Sequence, residues 1–177
     1  MNNQELNIPS TNKKRAVIVG GGFAGLQVAE KLSRKYFQVI LLDKNNYHTF
    51  QPLLYQVATA GLEPDSVAGP LRKIISEKKR YHYRMTKVEE VKPKEKTLVT
   101  SNGSLSYDYL ILATGSVPNY FGNEELSEKA FPLKSVEDAI KLRNHLITNF
   151  EKAVTLSDQD EKDRLMSIVV AGGGPTG

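Results

Sequence analysis

The chain has 177 residues, 40% of them hydrophobic and 25% charged, a balance that suits about one soluble globular domain. With no cysteine, these residues can hold no redox dithiol, thiolate nucleophile or thiolate-ligated zinc or iron–sulfur centre. A formal charge of +4 weakly favours anionic nucleotides or lipid surfaces, and nucleic acid is not an expected partner.

Residues 1–12 are polar and read as a disordered lead-in. No stretch approaches the roughly 20 apolar residues a membrane-spanning helix needs. Ala16–Val19 is short, apolar and β-branched, as suits a strand buried on both faces of a parallel sheet. Glycines from Gly20 to Gly25 end it. From Phe23 to Arg34 the residues Leu26, Val28, Ala29 and Leu32 form one helical stripe, and Val39–Leu42 is a second buried strand closed by Asp43. Strand, crossover helix and parallel strand wind right-handed, so the two strands lie side by side.

Tyr47–Leu62 is apolar but irregular, and Pro52 breaks any continuous helix there. The spacing of Val67, Leu71, Ile74 and Ile75 predicts a helix from Pro64 or Asp65 to Ser76, kinked or started late by Pro70. Tyr83–Lys92 and Lys96–Ser101 read as strands, with a hairpin turn at Asn102-Gly103 and a return strand at Tyr107–Ala113, together a small antiparallel flap. Asn119–Lys134 is a connector. Ser135 and Asp138 then form a capping box for a helix holding Val136, Ala139, Ile140, Ile147 and Phe150 on one face. Asp158–Asp163 is a charged turn or short helix, and Ile168–Ala171 reads as another buried strand, leading into GGGPTG. The fold class is α/β: a Rossmann-like fold, a parallel sheet with helices and a small antiparallel flap, truncated.

The spacing of Gly20, Gly22 and Gly25 is GxGxxG. The first glycine permits the tight turn, the second lets a pyrophosphate approach bare backbone, and the third lets helix and strand pack closely. The helix amino terminus offers N–H groups and a positive dipole end. Asp43, eighteen residues past Gly25 at the end of the second strand, is placed to accept both hydroxyls of an adenosine ribose. An acid there disfavours a 2′-phosphate. Gly172, Gly174 and Gly177 repeat the pattern, and two such sites imply two dinucleotides with electron transfer between them. Because the helix after Gly177 lies outside the sequence, the chain reads as an N-terminal fragment with an incomplete second site. Its exposed strand edges predict self-association, for instance a homodimer.

Several residues take ordinary roles. His48 reads as hydrogen-bonded scaffold rather than a cofactor contact, and His82 and His145 lack companions at ligand spacing, so no metal site is expected. Phe50, Leu53, Leu54 and Tyr55 read as core ahead of a substrate-side wall, and Lys78, Lys79 and Arg80 as a solvated helix end.

Two glycine fingerprints, the strand YDYLILATGS at Tyr107–Ser116, and the stretch YHTFQPLLYQVATAGL followed by PLRKI together resemble type II NADH dehydrogenases, the single-subunit NADH:quinone oxidoreductases. The resemblance covers Lys14 to Gly177. It implies that Gly20, Gly22, Phe23, Ala24 and Gly25 hold the FAD pyrophosphate, Asp43 the ribose, and Lys44 flanks the adenine end. Val88, in the third strand, would meet adenine through its backbone, Ala113, Thr114 and Gly115 would approach the flavin nucleotide, and Gln51 and Pro52 would lie near the isoalloxazine. Gly172, Gly174 and Gly177 would begin the NADH domain.

The implied domains are an FAD-binding domain at 13–118, a connector with helices at 119–166 and the start of an NADH-binding domain at 167–177. The implied activity is hydride transfer from NADH to flavin and reduction of a quinone, with no catalytic acid or base in the protein. The whole enzyme would sit peripherally on the cytoplasmic side of a membrane through regions absent here, and this fragment alone would bind FAD weakly and turn over no quinone. A ferredoxin-reductase-like enzyme with another acceptor, or a noncatalytic nucleotide-binding module, are the alternatives.

Overall fold

Every residue from Ala16 to Val19 and from Gln38 to Leu42 is buried, which requires apolar layers on both faces of the sheet they form. A computed structural model describes residues 6–77 and 81–172. Its elements run β1 (Lys14–Val19), α1 (Phe23–Lys31), β2 (Phe37–Asp43), β3 (Tyr47–Thr49), α2 (Leu54–Ala58), β4 (Ala68–Pro70), α3 (Leu71–Glu77), β5 (His82–Met85), β6 (Val88–Lys92), β7 (Thr97–Thr100), β8 (Gly103–Ser106), β9 (Tyr109–Leu112), α4 (Glu124–Lys129), α5 (Val136–Thr155) and α6 (Gln159–Met166). They fall into two units, one within Met1–His48 and Gly69–Ser116, the other within Thr49–Ala68 and Val117–Gly177.

The first unit is built on a parallel sheet of order β5-β2-β1-β9, with Ala16 beside Val39 and Tyr109. Side chains alternate across it. Val17, Val19, Ile40 and Leu42 face Leu98 and Leu105 of a three-stranded antiparallel sheet, β6-β7-β8. Ile18, Val39 and Leu41 face Ala29 of α1 and Leu71 and Ile75 of α3. The Rossmann-like architecture and antiparallel flap are therefore as expected.

Three local expectations are corrected. Within the supposed disordered lead-in, Leu6 and Ile8 are 7% and 5% exposed and join the core beside Val17 and Ile40, because the sheet face between the flap and the strands needs filling. The strand expected over Tyr83–Lys92 breaks at Thr86: β5 runs parallel to β2, whereas β6 pairs antiparallel with β7. The hairpin turns through Ser101 and Asn102, Thr100 facing Gly103, and its return strand is β8. Tyr109–Leu112 instead joins β1 in the parallel sheet. The helix expected over Pro64–Ser76 starts late, at Leu71, as Pro70 implied, since proline has no N–H to donate to an earlier turn.

In the second unit, Leu54, Val57, Ala58 and Val67 bury against Val136 and Ala139 of α5. Residues 49–68 thus group with 117 onward. The capping box is present: Asp138 N–H donates to Ser135 Oγ (3.1 Å) and Ser135 N–H to Asp138 Oδ2 (2.9 Å). Asp158 caps α6 through the N–H groups of Asp160 and Glu161. Ile168–Ala171 is not a strand here, and Val169 is 91% exposed. A β-branched run becomes a strand only beside a hydrogen-bonding neighbour, and none flanks it among the described residues.

Candidate functional site

The carboxyl end of β1 is tied to both neighbouring strands. Val19 carbonyl accepts from Ala113 N–H after β9 (2.8 Å), while Gly20 N–H donates to Leu42 carbonyl in β2 (2.8 Å). Counting only parallel strands, the sheet order is third, second, first, fourth, so the β1–β9 junction is the point where the order reverses. Open α/β sheets take their ligands at the carboxyl ends of strands at such a point.

Gly20, Gly22 and Gly25 occupy this junction in different ways. At Gly20 the backbone has φ +109°, and a Cβ would stand 2.2 Å from Ala113 carbonyl oxygen. A Cβ on Gly25 would stand 1.8 Å from Gly20 carbonyl oxygen, so α1 lies directly on the turn. Gly22 differs: a Cβ there meets nothing within 4 Å, and its φ of −76° suits any residue. No side chain caps α1 at Gly22 and no acidic residue stands in its first turn, which keeps the positive end of the helix available to an anion. Open space at Gly22, beside glycines that the fold itself demands, fits a diphosphate held by main chain.

Asp43 closes the same turn. Its Oδ2 accepts from Gly21 N–H (2.5 Å) and its Oδ1 from Asn45 N–H (2.7 Å), an Asx-turn, while Thr86 N–H donates to its carbonyl (2.8 Å). Asn45 carbonyl accepts in turn from the Tyr83 hydroxyl (2.7 Å). Burial raises the Tyr83 phenol above its ordinary pKa, as does the nearby Asp43 charge, against a smaller lowering from Arg72, whose guanidinium lies 5.1 Å from the ring centroid.

Gly21, at a variable position of the glycine pattern, escaped the sequence reading. Besides donating to Asp43 it faces His48, whose Nδ1 lies 3.0 Å from its carbonyl oxygen and donates when that nitrogen carries the proton. The His48 ring packs edge-on against Phe23 at 5.0 Å, so His48 is scaffold, as expected. A Cβ on Gly21 would press on Leu71 Cδ1 at 2.9 Å. Only the Asx-forming Asp43–Asn45 spacing hinted at these contacts.

The other expected site residues are distributed as follows. Ala113, Thr114 and Gly115 leave β9 next to Gly20, with Gly115 at φ +73° and open space at its Cα. Lys44 is exposed one residue past Asp43. Val88 is not in the third parallel strand: it opens β6 opposite Thr100, because that strand ends at Met85. Gln51 and Pro52 form a 3-10 turn in the second unit, where Gln51 Nε2 donates to Lys134 carbonyl (3.3 Å). In that unit Leu54 is core, whereas Phe50 and Tyr55 remain 44% and 45% exposed. Gly172 has φ +119°. Gly174 and Gly177 lie outside the described residues, as do Lys78, Lys79 and Arg80.

The profile of the pyridine nucleotide-disulphide oxidoreductase family matches residues 14–177. Type II NADH:quinone oxidoreductase NdhA of Mycobacterium tuberculosis is 37% identical over 169 residues, 93% of this chain and 36% of that protein. The external alternative NAD(P)H-ubiquinone oxidoreductase B2 of Arabidopsis thaliana mitochondria is 36% identical over 180 residues, 94% of this chain and 31% of that protein. The structure of NDH2 from Plasmodium falciparum in complex with NADH superposes with TM-score 0.75 at 25% identity, covering 86% of this chain and 32% of that one. The chain thus spans about a third of the length of the curated relatives it matches.

Proposed function

We propose, because this chain belongs to the pyridine nucleotide-disulphide oxidoreductase family, that its glycine turn and the β1–β9 junction bind FAD for a type II NADH:quinone oxidoreductase. The observation that carries this reading is the reversal of strand order at the β1–β9 junction, with uncapped α1 and Asp43 beside it. The names of the relatives support the reaction class.

In this account the main chain of Gly20, Gly22, Phe23, Ala24 and Gly25 holds the pyrophosphate. Asp43 takes the ribose hydroxyls: each of its oxygens already accepts one main-chain N–H, and a carboxylate offers about four lone-pair positions. Lys44 and the Val88 backbone border the adenine end, a role favoured by Thr86 N–H, which ties the segment entering Val88 to Asp43. Ala113, Thr114 and Gly115 border the flavin nucleotide, and Gln51 and Pro52 serve the isoalloxazine end. Gly172, Gly174 and Gly177 begin the NADH-binding part. The bound flavin supplies hydride acceptance from NADH and electron donation to quinone, so the protein's task is binding and orientation rather than acid–base chemistry. The thiol chemistry in the family's name has no residue to perform it in a chain without cysteine.

Quinone reduction takes place at the cytoplasmic face of a membrane, reached through segments outside this chain, in a homodimer. Among the described residues no helix is long and apolar enough to cross a bilayer. The test is purification of the full-length chain, identification of its flavin, and NADH oxidation coupled to a short-chain quinone. FAD-loaded protein that reduces quinone is expected; flavin-free protein, or NADH oxidation with no quinone reduced, contradicts the proposal.

A further inference from the structure

At the amino ends of β2 and β5 the first unit carries a pocket of about 550 Å³ whose lining includes Lys13, Arg34, Lys35, Phe37, Gln38 and His82 and, among the described residues, no Asp or Glu. That volume lies within the usual range for small-molecule sites, about 300 to 1,000 Å³. It is remote from the glycine turn. Phe37 and Asp43 begin and end the seven-residue β2, and at about 3.3 Å per residue they stand roughly 20 Å apart.

The wall of the pocket is tied in place rather than draped. Gln38, only 7% exposed, donates from Nε2 to Pro9 carbonyl (2.6 Å) and accepts at Oε1 from Arg15 Nε (2.9 Å). Lys13 Nζ donates to Arg34 carbonyl (2.7 Å), fastening the segment before β1 to the one that follows α1. The Arg34 guanidinium is held over Tyr81, 5.5 Å from the ring centroid, and its Nε is buried with no hydrogen-bond partner among the described residues. Buried donors in native proteins nearly always find an acceptor. Lys13, Arg34 and Lys35 line one concavity with a half-buried phenyl ring beside them and, among the described residues, no carboxylate in the lining to neutralise them.

We propose that this pocket is a second ligand site, separate from the dinucleotide crevice, for a phosphomonoester dianion: Lys13, Arg34 and Lys35 receive the charge, and Phe37 the apolar part of the molecule. Guanidinium and ammonium donors together suit a dianionic phosphate, which accepts several charge-assisted hydrogen bonds at once. The phosphate belongs either to a soluble metabolite or to a lipid headgroup.

Calorimetric titration of the full-length chain, in excess FAD so that the glycine turn does not report, separates these sources. The probes are inorganic phosphate, phenyl phosphate, and vesicles with and without phosphatidic acid. Saturable binding of phenyl phosphate, tighter than inorganic phosphate and weakened about tenfold or more by Lys35→Ala and by Arg34→Ala, is the expected result for a soluble ligand. Binding only to phosphatidic acid vesicles, with the same loss in both variants, assigns the same site to a lipid. Lys35 is exposed, so its variant keeps the fold and guards against misfolding at Arg34. Absence of binding to every probe, or binding that Lys35→Ala and Arg34→Ala leave unchanged, overturns the proposal.

Discussion

Gly21 N–H donates to the Asp43 carboxylate across 2.5 Å, joining the glycine turn to the end of β2. One acidic side chain therefore shapes the turn and, in the proposed function, also offers the acceptor for a ribose. Asp43→Ala removes both roles, and Asp43→Asn keeps a weaker, uncharged acceptor. Asp43→Ala is expected to lower unfolding stability by about 1 to 3 kcal/mol, with Asp43→Asn in between, as read by chemical denaturation. Equal stability of all three forms would show the bond to be idle.

The glycines of the turn separate by what a methyl group meets. Gly20→Ala and Gly25→Ala place carbon against main-chain oxygen at 2.2 Å and 1.8 Å, and Gly20 also has positive φ. Each is expected to destabilise the protein by about 2 to 4 kcal/mol. Gly22→Ala meets nothing, and a Gly-to-Ala exchange at an N-cap costs about 0.5 to 1 kcal/mol, well below the other two. Thermal melts of the three variants check this, and a Gly22→Ala melt as low as the other two would contradict it.

His82 gives the stability a pH dependence. Desolvation lowers its pKa first, with the charges of Arg84 and Arg15 adding to it, and Lys13, Arg34 and Lys35 share its pocket. The unfolded chain takes up a proton near pH 6.5 that the folded chain refuses until lower pH. The stabilisation is therefore complete above pH 6.5 and is lost as pH falls toward the folded-state value. His82→Gln should flatten the melting temperature between pH 7 and 5, and an unchanged pH profile would remove His82 as its source.

At the start of α5 the Ser135 hydroxyl and Asp138 carboxylate each satisfy the other's main-chain N–H. Ser135→Ala is expected to destabilise the helix by about 1 kcal/mol, and Asp138→Ala by a similar amount. Denaturation monitored by far-ultraviolet circular dichroism gives the comparison. Asp138→Glu, the commoner capping partner, should retain most of the stability.

What the sequence made legible was local in origin. β1, β2, the turn between them and the Ser135 box follow from patterns within a few residues, and Gly20, Gly25 and Asp43 could be singled out because their backbone demands are written into spacing. Pairing decided the rest. Tyr109–Leu112 was legible as a strand but not as the neighbour of β1, and the break at Thr86 depends on hydrogen bonds to Asp43 and Ser101, distant in sequence. Leu6 and Ile8 sit in a polar segment, and only the sheet face they fill shows why they are ordered. Gly21 was hidden because the glycine pattern assigns no duty to its position.

The central claim is most directly tested by titrating FAD into flavin-depleted full-length protein, wild type against Gly22→Ala and Asp43→Ala, following flavin fluorescence. The account predicts stoichiometric binding by the wild type and about 10- to 100-fold weaker binding by each variant, with Gly22→Ala still fully folded. Wild-type protein that binds no FAD, or variants that bind it as tightly as wild type, would contradict the assignment of the glycine turn as its diphosphate cradle.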